Sequence, residues 1–134
     1  MRTTRFTVDT TDRVVVEITE PVLTFARETG EDGLLNVFVP HATAGVALIE
    51  TGAGSEEDLA EAIERLLPRE DRYVHRHGSR GHGADHLLPA FVSSSLVVPV
   101  TGGQVVLGTW QRVVVVDTNS ENNTRTVVLS LVGG

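Results

Sequence analysis

The sequence predicts an α+β domain built mainly from antiparallel β-sheet, with a sandwich or barrel-like shape and two to three helices. Strand-like segments outnumber helical ones, and short turns of the kind found in hairpins join several of them. The 134 residues contain no linker, repeat or low-complexity tract. We therefore expect residues 1–134 to form a single domain.

The first half of the chain predicts four strands and two amphipathic helices. The predicted strands are residues 4–9, 13–18, 34–39 and 44–49. The first helix is expected to begin at Thr19, acting as N-cap, and to end at Gly30. The second is expected to begin at Ser55, where three acidic residues complete the form of a capping box, and to end at Pro68.

The second half predicts a polar loop, a short helix and two hairpins. The loop covers residues 69–81, and the helix covers residues 84–92, with Pro89 limiting its length. The predicted hairpins pair residues 96–100 with 104–107, and residues 111–117 with 124–131.

Two of these segments, residues 112–117 and 127–132, are apolar on both faces. A strand of an antiparallel sheet with one wet face would instead alternate apolar and polar residues. A second layer or a neighbouring subunit must therefore cover both faces. With two modest helices available for this, the sequence predicts an oligomer.

The composition excludes several classes of function. The chain has no cysteine, and all eleven of its basic residues are arginines, so thiolate, Schiff-base and P-loop lysine chemistry are absent. The net charge is −7 and there is no basic stripe, which argues against a nucleic-acid partner. No apolar run approaches the roughly 20 residues that span a bilayer. We therefore expect a cytoplasmic protein without a membrane partner.

The five histidines are the most informative candidates for chemistry. His41 follows a strand-like run, and the other four lie between His75 and His86. The four-residue spacing of His82 and His86 is that of a metal half-site on a helix. One interpretation is a divalent metal, zinc or magnesium, held by His41, His75 and His86, with His82 as a further ligand. The alternative is that the same side chains bind phosphate or act as acid and base.

Several other residues that could belong to a site have two interpretations each. His77 is paired with His75 across one residue, and one of the two is expected to be an ordinary loop residue. Trp110 and Gln111 either form the wall of a ligand site or, for the indole, fill the core. Arg125 either clamps a phosphate or carboxylate or lies exposed at a strand edge. The Arg-rich stretch of residues 65–80 suits a small phosphorylated ligand, or is a solvated loop.

The order of several short motifs resembles a known family. The motifs are His41-Ala-Thr-Ala, Glu50, Asp58 after Ser-Glu-Glu, Tyr73-Val-His75, His86-Leu87, Ser95 with Val98-Pro-Val100, and Leu107-Gly-Thr-Trp-Gln111. The chain is similar over nearly its whole length to the YjbQ family, also called secondary thiamine-phosphate synthase enzymes.

The resemblance implies a homotrimer of α+β subunits with a pocket near the subunit interface. Its implied catalytic residues are His41, Glu50, His75 and His86. Its implied substrate-binding residues are Thr43, Asp58, Trp110, Gln111 and Arg125. The implied activity condenses a hydroxymethylpyrimidine pyrophosphate with a thiazole phosphate to give thiamine phosphate, with loss of pyrophosphate. In this scheme Glu50 or Asp58 orients a histidine or the ion, and Trp110 stacks on a heterocycle.

The chain departs from the family pattern at two places. Residues 82–87, His-Gly-Ala-Asp-His-Leu, introduce His82 where relatives carry an Asn-Ala pair. Residues 119–123 replace an arginine-containing turn, so that Arg125 alone remains of its cations. The added His82 either compensates for the lost arginine or supplies a metal ligand. The alternatives to the synthase are a metal-dependent phosphoester hydrolase and a non-catalytic trimer that binds a ligand.

Overall fold

The structure is a computed structural model that describes residues 1–70, 72–75 and 78–133. The strands are β1 (Arg2–Asp9), β2 (Val15–Glu17), β3 (Gly33–Phe38), β4 (Ala44–Ile49), β5 (Ser95–Thr101), β6 (Gln104–Val105), β7 (Arg112–Asp117) and β8 (Thr124–Gly133). The helices are α1 (Thr19–Thr29), α2 (Ser55–Leu66) and α3 (His82–Val92). The predicted α+β class with three helices is confirmed, and each strand lies at or close to its expected position.

The strands form two antiparallel sheets that share a core. The larger sheet has the order β1-β8-β3-β5-β6, and the smaller has the order β2-β7-β4. Inward side chains of both sheets, including Val37, Leu129 and Val46, pack into one buried cluster. Helix α1 adds Val22 and Phe25 to this cluster, which agrees with the apolar stripe read from its sequence.

Strand β7 explains why one predicted segment is apolar on both faces. Val113 and Val115 belong to the core shared with the larger sheet and α1. Val114 and Val116 face the other way and pack with Ile63 of α2 and with residues of α3. The chain itself therefore covers both faces of β7, in three layers made of sheet, sheet and helices.

The predicted hairpin of residues 111–117 with 124–131 is wrong, and a second connection between consecutive strands also crosses from one sheet to the other. Strands β3 and β4 do not form a hairpin, because β3 pairs with β5 and β8 while β4 pairs with β7. Strands β7 and β8 likewise lie in different sheets. In both cases the chain crosses between the layers, which lets each sheet hide one apolar face. The hairpin of β5 and β6 is confirmed, with Val100 opposite Val105.

The predicted N-caps of two helices are also wrong, although the helix positions are right. Ile18 and Gly54 occupy the cap positions of α1 and α2, and neither supplies a side-chain cap bond. The Thr19 hydroxyl instead accepts the Val113 backbone N–H at 2.9 Å, which ties α1 to the neighbouring strand. At the other end of α1, Gly30 has the left-handed conformation expected of a helix-ending glycine, with φ of 65°.

The outer face of the larger sheet carries apolar side chains in contact with solvent. Leu34 lies opposite Pro99 on one neighbouring strand and Val132 on the other. Leu34, Val97 and Val132 are each more than half exposed. We call the set Leu34, Phe38, Val97 and Val132 the outer apolar face. None of the helices in the described part of the chain has the length and apolar character needed to cross a membrane.

Candidate functional site

Helix α3 places two histidines side by side. It begins at His82, two residues before the predicted start, so that His82 and His86 lie one turn apart on the same face. Their Nε2 atoms are 2.9 Å apart, and their ring centroids are 4.4 Å apart. The four-residue spacing noted in the sequence therefore produces a real pair of adjacent imidazoles.

His75 joins this pair from the preceding loop. Its ring centroid lies 4.2 Å from that of His86 and 5.2 Å from that of His82. One nitrogen from each of the three rings can be chosen so that all lie within 4.8 Å of one another. We call His75, His82 and His86 the histidine cluster. His77 lies outside the described residues.

Gly83 allows the loop to approach the helix this closely. A Cβ atom at Gly83 would lie 2.6 Å from the His75 carbonyl oxygen and 2.8 Å from Tyr73 Cβ. Real Cβ atoms do not come that close to other atoms. The absence of a side chain at Gly83 thus leaves the room that His75 needs to lie against the first turn of α3.

A buried carboxylate anchors α3 beneath the cluster. Asp85 is almost fully buried, and its Oδ1 accepts hydrogen bonds from the Arg69 guanidinium and, at 2.6 Å, from the Thr118 hydroxyl. The Arg69 pair is charge-assisted and contacts both carboxylate oxygens. Asp85 therefore ties α3 to the segments that carry Arg69 and Thr118, and both of its carboxylate oxygens are engaged in these contacts.

His41 lies in a different group of residues within the chain. It is half-buried, and its Nε2 accepts the Thr126 backbone N–H at 2.9 Å. Burial lowers the pKa of His41, and the nearby Arg125 cation lowers it further, while Asp117 acts in the opposite direction. Because Nε2 accepts a hydrogen bond, His41 is neutral in this arrangement. Among the described residues of one chain, the histidines close enough together to share a metal ion are His75, His82 and His86. His82 therefore takes the place that was expected for His41.

Arg125 and Thr43 lie next to His41 but are turned inward. The Arg125 guanidinium donates to both Asp117 oxygens and to the Thr43 hydroxyl. Arg125 is 1% exposed and Thr43 is 8% exposed. Within one chain these two side chains bind each other and Asp117, and the expected clamp on a ligand's phosphate or carboxylate is not formed at this position.

The remaining candidate residues lie at the far end of the smaller sheet. Glu50 follows β4 at the end where Ile49 pairs with Arg112, whereas His41 precedes the end where Ala44 pairs with Asp117. Six residues of strand separate these ends by about 20 Å. Trp110 and Gln111 immediately precede β7 and so share the Glu50 end. Asp58 is exposed in the first turn of α2.

Trp110 is a surface residue of the chain. Its exposed fraction is 69%, so the interpretation that it fills the core is wrong. The Gln111 side chain folds back, and its Oε1 accepts the Gly108 N–H at 2.8 Å. This bond shapes the turn before β7 and leaves the indole free to contact a ligand or another subunit.

The sequence reasoning missed three residues that build the histidine cluster. Gly83 falls between the predicted loop and the predicted helix and was given no role, although a glycine between two candidate ligands is a usable signal of close backbone approach. Asp85 lies within the predicted helix between His82 and His86, and its role depends on Arg69, sixteen residues earlier. Glu121 lies near His82 across 39 positions of sequence. No pattern in the sequence connects that pair.

The two sheets and the three helices define a small α+β sandwich protein, and the histidine cluster is its candidate site. The chain belongs to the UPF0047 family of YjbQ-like proteins, whose sequence model matches residues 4–134. A UPF0047 protein of Mycobacterium bovis is 63% identical over 127 residues, which cover 95% of this chain and 98% of that protein. One from Archaeoglobus fulgidus is 34% identical, covering 93% and 98%.

Solved structures agree with the fold. The crystal structure of a hypothetical protein from Aeropyrum pernix K1 superposes with a TM-score of 0.90 at 36% identity, covering all of both chains. That of a protein of unknown function from Sulfolobus solfataricus P2 has a TM-score of 0.90 at 26% identity, covering 99% of this chain and 97% of the other. The predicted YjbQ-like fold is confirmed.

Proposed function

We propose that this protein is a metal-dependent enzyme acting on a phosphorylated small molecule, with His75, His82 and His86 as the metal ligands. The observation that carries the proposal is the convergence of three imidazole nitrogens within 4.8 Å. Three protein ligands with a further position open to water or substrate are typical of catalytic zinc sites.

The donor set fits a transition metal. Nitrogen ligands at zinc's preferred distance lie about 3.3 Å from one another in a tetrahedral site. The His82 and His86 Nε2 atoms, at 2.9 Å, need to separate by only a few tenths of an ångström. Imidazole suits zinc, copper, iron or nickel, whereas magnesium prefers oxygen ligands. Of the two metals expected from the sequence, zinc therefore matches these ligands and magnesium does not.

Within this class, the reaction we propose first is thiamine-phosphate synthesis. The thiazole nitrogen bonds to the pyrimidine methylene carbon, and the carbon–oxygen bond to pyrophosphate breaks, with its electron pair leaving on the pyrophosphate. A bound metal ion would supply Lewis-acid stabilisation of that leaving charge. The exposed ring of Trp110 supports this reaction, because it offers a face on which a flat heterocycle can stack.

This proposal requires a second copy of the chain, because Trp110 precedes β7, whereas Glu121, which lies near His82 of the cluster, is in the loop that follows the opposite end of β7. We propose a homotrimer in which one subunit supplies residues to its neighbour's site. The outer apolar face supports it, since Leu34 and Val97 are each 54% exposed. Contiguous apolar surface of this kind marks an interaction site. Strand β7, one of the two segments that first suggested an oligomer, needs no such cover.

A second candidate reaction is hydrolysis of a phosphoester. It is favoured by the all-nitrogen character of the cluster, since neutral ligands leave the positive charge that activates water at such sites. Hydrolysis requires no aromatic platform, so it would tolerate removal of the Trp110 side chain. Synthesis would not.

Metal analysis of four alanine variants tests the proposal. We expect about one zinc per wild-type subunit after dialysis, and loss of that zinc in His75→Ala, His82→Ala and His86→Ala. His41→Ala is the matched control, since it removes an imidazole outside the cluster, and it should retain zinc. Loss of zinc in His41→Ala with retention in His82→Ala would overturn the proposed ligand set.

Activity measurements then separate the candidate reactions. Zinc-loaded protein is incubated with hydroxymethylpyrimidine pyrophosphate and thiazole phosphate, and separately with an aryl phosphate. Formation of thiamine phosphate that disappears in His86→Ala supports the synthase, and release of inorganic phosphate that disappears in the same variant supports the hydrolase. If stoichiometric zinc accompanies neither reaction, the protein is a ligand-binding trimer and the enzymatic proposal fails.

A further inference from the structure

The loop between β7 and β8 is folded by a ladder of side-chain to backbone hydrogen bonds. Asp117 Oδ1 accepts the Asn119 N–H at 2.9 Å. Asn119 Oδ1 in turn accepts the Glu121 N–H at 2.6 Å. The ladder starts from a buried carboxylate and therefore holds Glu121 at a defined place relative to the core.

Glu121 reaches from this loop to the start of α3. Its Oε1 accepts the Ser79 backbone N–H at 2.7 Å and lies 3.9 Å from His82 Nδ1. Thr118, on the same loop, donates to Asp85 on α3. The loop thus contacts the helix at two points, one beneath the histidine cluster and one beside the His82 ring.

We propose that Glu121 is the positioning residue of the metal site, a carboxylate that fixes the ring of His82 so that its Nε2 faces His75 and His86. This inference rests on the proposed metal-dependent function and extends it to a residue outside the cluster.

The geometry of His82 supports this role. Its Nε2 already points into the cluster, 2.9 Å from that of His86, so its Nδ1 is the nitrogen directed at Glu121. A hydrogen bond from Nδ1–H to a carboxylate fixes the tautomer that leaves the Nε2 lone pair for a metal. Closing the present 3.9 Å separation to hydrogen-bond length needs a movement of about 1 Å.

Asp85 does not compete for this role, although it lies between the two helical histidines in sequence. Its oxygens are bound by Arg69 and Thr118, and its side chain is 1% exposed. Asp85 holds helix α3 in place, whereas Glu121 lies beside the imidazole of His82, one of the proposed metal ligands.

Two substitutions separate a positioning role from a merely structural one. Glu121→Gln keeps an oxygen that can accept the Ser79 N–H but removes the carboxylate charge, and Glu121→Ala removes both. Glu57→Gln, on the exposed side of α2, is the matched control for the loss of one negative charge. Zinc affinity is measured by competition with a chromophoric chelator, and the visible spectrum of the cobalt-substituted protein reports ligand geometry.

We expect Glu121→Gln to weaken zinc binding by about tenfold to a hundredfold and to change the cobalt spectrum, while Glu57→Gln does neither. If Glu121→Gln binds zinc like wild type and only Glu121→Ala is impaired, the role is confined to holding the Ser79 loop and the inference fails. A wild-type protein that binds no zinc overturns the proposed function itself, which is a separate result.

A double-mutant cycle assigns the effect to His82. In the His82→Ala background the residual zinc affinity should be the same with Glu121 or with Gln at that position, because the ring that Glu121 orients is gone. An undiminished loss from Glu121→Gln in that background would show that the carboxylate acts elsewhere, and it would overturn the assignment.

Discussion

Arg125 and Asp117 form a two-point ion pair inside the protein, with Nε 2.7 Å from Oδ2 and Nη2 2.9 Å from Oδ1. Their side chains are 1% and 0% exposed. The Thr10 hydroxyl also donates to Asp117, at 2.6 Å. The pair joins β8 of the larger sheet to β7 of the smaller one, so it links the two layers.

Removing one partner of this pair should be costly. Arg125→Met keeps an apolar side chain of comparable length but leaves the Asp117 charge buried without its cation. We expect the free energy of unfolding to fall by about 3–5 kcal/mol, measured by urea denaturation. Arg112→Met is the matched control, since Arg112 pairs with Glu17 at 4.0 Å on the surface and should change stability by less than about 0.5 kcal/mol. If the two variants had equal midpoints of urea denaturation, this expectation would be wrong.

The stability of the protein should depend on pH through His41. Its pKa is lowered in the folded chain by burial and by Arg125, so the unfolded chain, with a histidine pKa of about 6.5, takes up the proton more readily. This stabilising contribution is therefore present in full above about pH 6.5 and is lost as the pH falls through the lower folded pKa.

The measurement compares wild type with His41→Gln, which cannot titrate in this range. Urea denaturation is repeated from about pH 8 to pH 5 with a chelator present, so that metal does not contribute. We expect the unfolding free energy of wild type to fall relative to that of the variant as the pH decreases. If the unfolding free energies of wild type and variant change with pH in parallel, the pKa of His41 is the same in the folded and the unfolded chain, and the prediction is wrong.

Gly83→Ala should damage the metal site and spare the fold. The added methyl would lie 2.6 Å from the His75 carbonyl oxygen, so residues 73–75 must move away and carry the His75 ring with them. Alanine also favours the helix over glycine by about 1 kcal/mol. We expect weaker zinc binding with an unchanged or higher melting temperature. Gly133→Ala, whose methyl would meet its nearest atom at 3.7 Å, should alter neither.

Trp110→Ala should separate stability from ligand response. Because the indole is 69% exposed, its removal is expected to cost less than about 1 kcal/mol in the unfolding free energy of a subunit. A pyrimidine or thiazole phosphate should raise the melting temperature of wild type by mass action and should not raise that of the variant. A loss of 3–5 kcal/mol, of the size caused by core cavities, would instead place the ring in a buried subunit interface.

Light scattering tests the proposed trimer. We expect about three times the 14.4 kDa subunit mass at micromolar concentration. Leu34→Arg puts a charge on the outer apolar face and should give monomers, because burying an unpaired charge is unfavourable. Leu66→Arg is the matched control, since Leu66 is similarly exposed, at 58%, on α2. Dissociation by the control variant alone would place the interface on the helical side.

The positions of the strands could be predicted because their signal is local. Alternation of apolar residues and the run Val113–Val116 identify strands without knowledge of their partners. The partners themselves are set by which layer each strand completes, and that depends on the whole chain. The pairing of residues 111–117 with 124–131 was expected from their short connection, yet the connection crosses between sheets.

In the candidate site, too, the local pattern could be predicted and the contacts between distant segments could not. The His82 and His86 spacing is a local pattern and gave a correct pair of neighbours. The sequence predicted His41, His75 and His86 as ligands with His82 as a further one, whereas within one chain His82 lies with His75 and His86 and His41 lies elsewhere, against Thr126. The contact of Glu121 with the start of α3 joins distant segments and could be found only in three dimensions.

The three histidines of the cluster come from α3 and from the loop that precedes it. The buried strands contribute none of them, and the interlayer ion pair lies elsewhere. His75 is exposed, His82 and His86 are half-buried, and none of the three belongs to either buried apolar cluster, so these side chains can be replaced without opening a core. The architecture and the candidate site can therefore change independently, so proteins that share this sandwich can differ in the side chains that stand at these three positions.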